Sequence, residues 1–305
     1  MEASDRGPPP AQDLICLIAR NRLGTYCIPA ASPLRQCARV VAGGGVYEPR
    51  TIDFLCRHAG AGDIVHAGAF FGDFLPAVAR ALAPGARLWA FEPVHVNYVC
   101  AAITGQLNGL DNVVLTHAGL GDAPSEAQIA THDAIGQLLG ELSYIQTGAP
   151  SHDVGAGEAI RIVRIDDIVP ADRQVSVVQL DVEGFEEPAL AGALATIRRC
   201  KPIILLENLP SAEWIAANLT PLGYRLRRGV HANAVYSVTP ISSLWQGLRW
   251  QLRGLARTVI PNPVRRRLRR VQAALKARGG SMPVAAAPAG ATVDGVAYRL
   301  VPPAG

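Results

Sequence analysis

An α/β fold, in which a mostly parallel sheet ends in an antiparallel hairpin, is predicted by three features of the 305-residue chain. Between Asp63 and Val238, short apolar runs alternate with longer amphipathic stretches, the pattern of successive βα units. The apolar runs are nearly continuous, as expected of parallel strands covered on both faces. The last two runs lie too close together to enclose a helix, so they pair antiparallel.

Taken in order, the strand candidates are residues 64–67, 87–91, 113–116, 175–180 and 202–206, followed by the pair 224–227 and 234–238. Helical periodicity fills the gaps at 73–82, 95–107, 186–199 and 212–219, and Pro84-Gly85 stops the first of these. Residues 123–158, rich in Gly, Ser and His, break the alternation and read as an irregular lid or substrate loop. Upstream, residues 14–60 are expected to form one or two helices that cover the sheet.

Composition narrows the class. The chain is 49% hydrophobic and 18% charged, which excludes a disordered polypeptide. Its apolar runs fall well short of the roughly 20 residues a spanning helix needs. The polar, Pro-rich start lacks the basic n-region of a secretory signal. Six cysteines form no CxxC pair and the seven histidines no HExxH, so no metal is expected and the thiols are read as reduced, in a cytoplasmic setting.

Charge divides the chain. Residues 241–305 carry eleven Lys and Arg against one acid, Asp294, whereas residues 1–240 carry 18 basic and 24 acidic side chains. The expected organisation is therefore an N-terminal segment and cover at 1–45, a main domain at 46–240, and a helical, partly flexible basic tail at 241–305. In the tail, Leu244, Trp245, Leu248, Leu252 and Leu255 share a helical face opposite Arg249, Arg253 and Arg257. That face suits either packing against protein or, through residues 241–278, an anionic membrane surface that would hold the protein at the membrane periphery. Nucleic acid is not an expected partner, because the domain itself is acidic. The sequence leaves the oligomeric state open.

The first βα turn reads Ala67-Gly68-Ala69-Phe70-Phe71-Gly72-Asp73. Gly68 and Gly72 allow a tight turn and close approach to a ligand, and the helix that follows points free N–H groups into the same crevice. The turn lacks G-x-G-x-x-G, which suits a ligand with no pyrophosphate. Glu92 follows the second strand, 24 residues after Gly68, where a carboxylate accepts from both hydroxyls of a ribose. Beyond the third strand, backbone groups at Ala118–Leu120 reach the place of a nucleoside base.

On these residues the chain resembles the FkbM family of methyltransferases. The likeness runs over residues 46–208 through Val46-Tyr47-Glu48-Pro49, the glycine turn, Phe91-Glu92-Pro93, the LNGLDNV block at 107–113, Ile165-Asp166-Asp167-Ile168, the LDVEGFE block at 180–186 and Leu205-Leu206-Glu207. The resemblance implies a Rossmann-like class I methyltransferase fold, S-adenosylmethionine as cofactor, and methylation of a hydroxyl on a small molecule, sugar or glycolipid. The implied cofactor-binding set is His66, Ala67, Gly68, Gly72, Asp73, Glu92, Pro93, Ala118 and Leu120. One departure stands out: the family carries an aspartate where this chain has His66.

Methyl transfer requires an aligned acceptor, exclusion of water and a group that takes a proton. At the fourth strand Asp181 is the candidate base and Glu183 its partner, pointing the same way along an extended segment. Paired carboxylates raise one another's proton affinity. Gly184 and Glu207 are the substrate-side candidates. The competing reading is a catalytically silent binding or scaffold protein that kept the fold after losing the first-strand acid.

Overall fold

The computed structural model describes residues 11–30, 35–130, 144–145, 157–241 and 290–302. Seven strands form the central sheet: β3 (Asp63–Ala67), β4 (Leu88–Phe91), β5 (Val113–Thr116), β10 (Val175–Leu180), β11 (Ile203–Leu206), β12 (Arg225–Val230) and β13 (Asn233–Ser237), in the order β12-β13-β11-β10-β3-β4-β5. The four pairings from β11 through β10, β3 and β4 to β5 are parallel, and β13 lies antiparallel to both β11 and β12. This is the class I methyltransferase layout that the spacing of apolar runs predicts. The strand order reverses between β3 and β10, which opens a crevice at the carboxyl ends of both.

Helices α2 (Pro49–His58), α3 (Leu75–Ala81), α4 (His95–Leu107), α6 (Glu186–Ala191), α7 (Leu194–Cys200) and α8 (Ala212–Asn218) cover the sheet, and α5 (Ile165–Ile168) is a single turn. The amphipathic run at 186–199 is two helices rather than one, broken at Gly192-Ala193. A Cβ at Gly192 would overlap the carbonyl oxygen of Gly121, so the chain must bend there to pass another backbone. Asp166 then accepts from the Ala195 and Thr196 N–H groups at 2.9 Å, satisfying donors at the start of α7 from a distance.

One core packs Val65, Phe91, Val178, Leu180, Leu190, Ile197 and Leu206 between the sheet and α6–α7. A second, on the opposite side, joins Phe71, Val99, Cys100 and Ile103 to a small four-stranded sheet. That sheet corrects the expectation for both chain ends. Within residues 14–60 the expected helices are α1 (Gln36–Ala42) and α2, but the strands β1 (Gln12–Arg20) and β2 (Thr25–Pro29) precede them. Leu14, Cys16 and Ile18 alternate inward along β1, and Asn21 forms the turn, its Oδ1 accepting from Leu23 N at 2.8 Å.

At the other end, β14 (Ala291–Val293) and β15 (Val296–Val301) complete the same sheet in the order β14-β15-β1-β2, with β15 parallel to β1. The helical extension expected over 241–305 is therefore wrong for this stretch, where Val293 and Tyr298 alternate into the second core. The basic stretch 242–289, with its amphipathic face, lies outside the described residues.

The expected irregular loop at 123–158 also needs correction. With β6 (Gly119–Leu120) and β9 (Gly157–Val163), the strands β7 (Ser125–Ala130) and β8 (Tyr144–Ile145) form a third sheet in the order β6-β9-β7-β8. Ile129, Ile160 and Ile162 make its apolar face and close on Val94. Among the described residues, no helix is long and apolar enough to cross a membrane.

Candidate active site

The crevice where the strand order reverses is a cleft whose walls come from the ends of β3, β4 and β10, the Tyr47-Glu48 turn, the 118–120 backbone and Ile129. Of the sequence-predicted cofactor residues, His66, Ala67, Gly68, Asp73, Glu92, Pro93, Ala118 and Leu120 line it. Gly72 does not. Its backbone has φ +84°, and a Cβ there would press on Leu75 and on the Ala101 backbone of α4. Gly72 thus brings α3 and α4 together behind the turn.

Gly68 sits at φ +82°, and a Cβ on it would overlap the Asp181 carbonyl oxygen. The turn must therefore be glycine for two reasons, backbone conformation and the closeness of β10. Its N–H and that of Ala69 both donate to the Phe91 carbonyl, which folds the turn over the end of β4.

Glu92 is 4% exposed, and its carboxylate accepts from Phe70 N at 2.7 Å, Val94 N at 3.0 Å and Asn97 Nδ2 at 3.3 Å. Burial nevertheless raises its pKa to about 7, with the nearby Glu158 charge adding to the rise and the three donors opposing it. A buried carboxylate so placed gains from further hydroxyl donors, which a ribose diol supplies.

His66 stands at a register position opposite Gln179 across β3 and β10. Its Nδ1 pairs with the Gln179 side-chain oxygen, and its ring stacks parallel on Phe74 with centroids 5.3 Å apart. Burial lowers its pKa to about 4, against a smaller raising effect from Gln179, so the ring is neutral at physiological pH. Asp73, also buried, accepts from Cys37 Sγ at 3.3 Å.

The end of the cleft beside β10 and β11 is acidic. Carboxylate oxygens of Asp181, Glu183 and Glu207 lie within 4.8 Å of one another. Sequence reasoning brings Asp181 and Glu183 together by strand alternation, but β10 ends at Leu180 and Glu183 has φ +50°. A left-handed turn, not an extended segment, makes the two side chains converge. Gly184, at φ +90°, is exposed, has open space where a Cβ would stand, and does not line the cleft.

Asp181 is held well above the usual carboxylate range, first by burial, then by a hydrogen bond with Glu207 and by the charges of Glu207, Glu183 and Glu48. Among the neighbouring carboxylates, Glu207 has the largest effect; it follows β11, the strand paired with β10. Glu186, behind this cluster in the first turn of α6, is buried and accepts from Asn208 Nδ2 at 3.2 Å.

Glu48 was not among the residues that sequence reasoning placed in the site. It lines the cleft at φ +39°, just before Pro49, with Oε2 accepting from Thr51 Oγ1 at 2.8 Å and Oε1 facing His231 Nδ1 at 3.3 Å. Its presence in the Val46–Pro49 block was the available signal. Gln179 and Asn97 were also missed: each bonds to a predicted site residue, and neither falls within a quoted motif. Among the described residues that line the cleft there is no Lys or Arg.

The profile of the methyltransferase FkbM domain matches residues 66–226, more than half of the chain. The chain belongs to the FkbM methyltransferase family. Methyltransferases of this family use S-adenosylmethionine, and the cleft here is lined by Gly68 of the turn and by Glu92 after the second sheet strand.

Among solved structures, the chain is similar to the methyltransferase FkbM from Methylobacillus flagellatus, with 19% identity over 58% of this chain and a TM-score of 0.38. The match spans 43% of that protein's length. It is also similar to a methyltransferase from Geobacter sulfurreducens (16% identity, 68% of this chain and 88% of that one, TM-score 0.38). A third likeness is to the O-methyltransferase TomG from Streptomyces achromogenes (14% identity, 63% and 79%, TM-score 0.35). No curated protein matches the chain.

Proposed function

We propose that this FkbM-family chain transfers the methyl group of S-adenosylmethionine to a hydroxyl oxygen of a small molecule, sugar or glycolipid, with Asp181 as the proton acceptor. One observation carries the reading: Asp181, hydrogen-bonded to Glu207 and adjoining Gly68 of the cofactor turn, has its proton affinity raised by burial and by neighbouring carboxylates.

The cleft fits the cofactor. Gly68 lets the turn pass directly against the Asp181 carbonyl at the cleft wall, Glu92 offers a buried carboxylate to a diol, and residues 118–120 line the side nearest β5. When bound, S-adenosylmethionine supplies an electrophilic methyl carbon on a sulfonium. Glu92 fixes the ribose, and Ala118 and Leu120 flank the base. Asp181 orients the acceptor hydroxyl and takes its proton as the oxygen–carbon bond forms. S-adenosylmethionine, held by Glu92 and the 118–120 segment, would supply the methyl carbon and would keep the carbon–sulfur electron pair as a neutral thioether.

Raising a carboxylate above its usual range brings its basicity closer to what a base at neutral pH requires. Glu207 and Glu183 assist by keeping that affinity high, and Glu207 lies where it can also bond the acceptor. An anionic membrane surface remains the partner proposed for the basic stretch 241–278.

The test is transfer of labelled methyl from S-adenosylmethionine to hydroxyl-bearing small molecules, sugars and glycolipids, with the methylated atom found by mass spectrometry. Methyl ether formation is the expected result. Methyl on nitrogen or carbon would reject the assignment to oxygen. Cofactor binding with no transfer to any acceptor would favour a silent binding protein.

A further inference from the structure

His66 departs from the family's aspartate, and its surroundings determine what it offers instead. The Gln179 side-chain carbonyl faces His66 Nδ1. A carbonyl has no proton to give, so Nδ1 carries the imidazole proton and Nε2 is a bare acceptor. Stacking on Phe74 fixes the plane of the ring. The residue is 3% exposed and lines the cleft, yet among the described residues Nε2 has no hydrogen-bond partner. A buried acceptor without a donor is uncommon and points to a ligand that brings one.

The order of groups along the sheet edge selects the donor. Ala118–Leu120 follow β5, Glu92 follows β4, His66 belongs to β3, and Asp181 and Glu207 follow β10 and β11. With base and ribose assigned to the first two, the part of the cofactor left for His66 is the sulfonium and its aminocarboxypropyl chain. The sulfonium has no N–H or O–H, and a carboxylate only accepts. The ammonium alone can donate to Nε2.

We propose that His66 Nε2 accepts a hydrogen bond from the ammonium of S-adenosylmethionine, so that a neutral imidazole, locked in one tautomer by Gln179, holds the amino-acid end of the cofactor. This rests on reading the cleft as the cofactor site. Gln179 is then a positioning residue, and the contact is a charge-assisted hydrogen bond rather than an ion pair.

Calorimetric titration of the full chain with two nucleosides tests this. S-adenosylhomocysteine carries the ammonium, whereas 5′-methylthioadenosine keeps base, ribose and sulfur without it. His66→Phe retains a ring against Phe74 and removes the acceptor. The expected result is about a tenfold loss of affinity for S-adenosylhomocysteine, with 5′-methylthioadenosine unchanged within about twofold. Equal losses for both, or no loss for either, would overturn the proposal.

Should the variant fail to fold, the unmutated protein gives the same decision by nitrogen NMR. The His66 Nε2 resonance should move with S-adenosylhomocysteine and stay with 5′-methylthioadenosine; a response that does not distinguish the two overturns it. If the unmutated protein binds neither nucleoside, the cofactor reading itself fails and takes this inference with it. Binding without discrimination at His66 defeats the inference alone.

Discussion

Gly68 and Asp181 touch backbone to backbone: a Cβ on Gly68 would overlap the Asp181 carbonyl oxygen. The glycine that turns the chain at the end of β3 and the proposed proton acceptor therefore share one wall. Gly68→Ala should strain both, through the positive φ and through displacement of β10. The expected outcome is loss of S-adenosylhomocysteine binding by at least about tenfold, with a stability loss of about 1–3 kcal/mol in urea denaturation. Gly85→Ala is the control. It has φ +83° but open space around the new Cβ and lies away from the cleft, so it should cost only about 1 kcal/mol and leave binding intact.

Glu92 gives the cofactor site a pH dependence. In the ligand-free protein burial holds its pKa at about 7, above the usual carboxylate range. Ribose hydroxyls favour the ionised form, so binding lowers that pKa and expels a proton below about pH 7. Affinity for S-adenosylhomocysteine should rise with pH, by at most about tenfold per unit, and level off above about 7.

The same group acts on stability in the opposite direction. The unfolded chain ionises at the ordinary carboxylate value and the folded one only near 7. Stability tied to Glu92 is thus complete at low pH and is lost as pH rises through that window. Glu92→Gln should flatten both profiles and weaken binding. Titrations between pH 5.5 and 8.5, chosen as roughly one and a half units either side of that value, read both effects. A Glu92→Gln variant that keeps the pH slope would place the titrating group elsewhere.

Most of the central sheet was legible because its inner strands are buried on both faces and its edge strand β5 is apolar as well. Residues 113–116 and 175–180 coincide with β5 and β10, and 95–107 with α4. What escaped was structure with small or mixed side chains. Ser125–Ala130 and Gly157–Val163 alternate only weakly and become strands through pairing with each other. The end of the chain reads as tail because it follows a Gly-, Ala- and Pro-rich stretch, and β15 gains its partner, β1, from nearly 300 residues away. In the site, Gly68, Glu92 and Asp181 were legible as motif residues. Glu48 and Gln179 enter by tertiary approach, and spacing within one motif does not report that. Asp181 and Glu183 were paired correctly for the wrong local reason.

Asp181 and Glu207 make a proton-holding pair, and their variants should separate two roles. Asp181→Asn removes the proposed base and is expected to leave S-adenosylhomocysteine affinity within about threefold while lowering turnover by about a hundredfold or more. Glu207→Gln removes a negative charge and supplies an amide donor, which lowers the proton affinity of Asp181. The acidic limb of its rate profile should then move to lower pH, with a smaller effect on rate at neutral pH. Single-turnover measurements across pH decide this. An unmoved limb would mean that Glu207 does not set the basicity of Asp181.

The C-terminal hairpin is predicted to be part of the domain rather than an appendage. Val293 and Tyr298 are both 6% exposed and pack in the core that holds Tyr26, Phe71 and Cys100. Asp294 accepts from Tyr98 Oη at 2.9 Å, and the Thr292 carbonyl accepts from Gln106 Nε2 at 2.7 Å, so both bonds tie the hairpin to α4. Ending the chain at residue 289 would bare this apolar surface and leave β1 an open edge along Gln12–Ile15. Burying two such side chains contributes about 1.5–3 kcal/mol each, so the truncated protein should unfold at clearly lower urea concentration. Arg299→Ala separates the hairpin's packing from its charge. The Arg299–Asp13 pair, at 2.7 Å, is exposed on both sides, so its loss should leave the urea midpoint nearly unchanged. A truncated chain as stable as the full one would show that the β14–β15 pair adds nothing to the fold, and the small sheet would then stand on β1 and β2 alone.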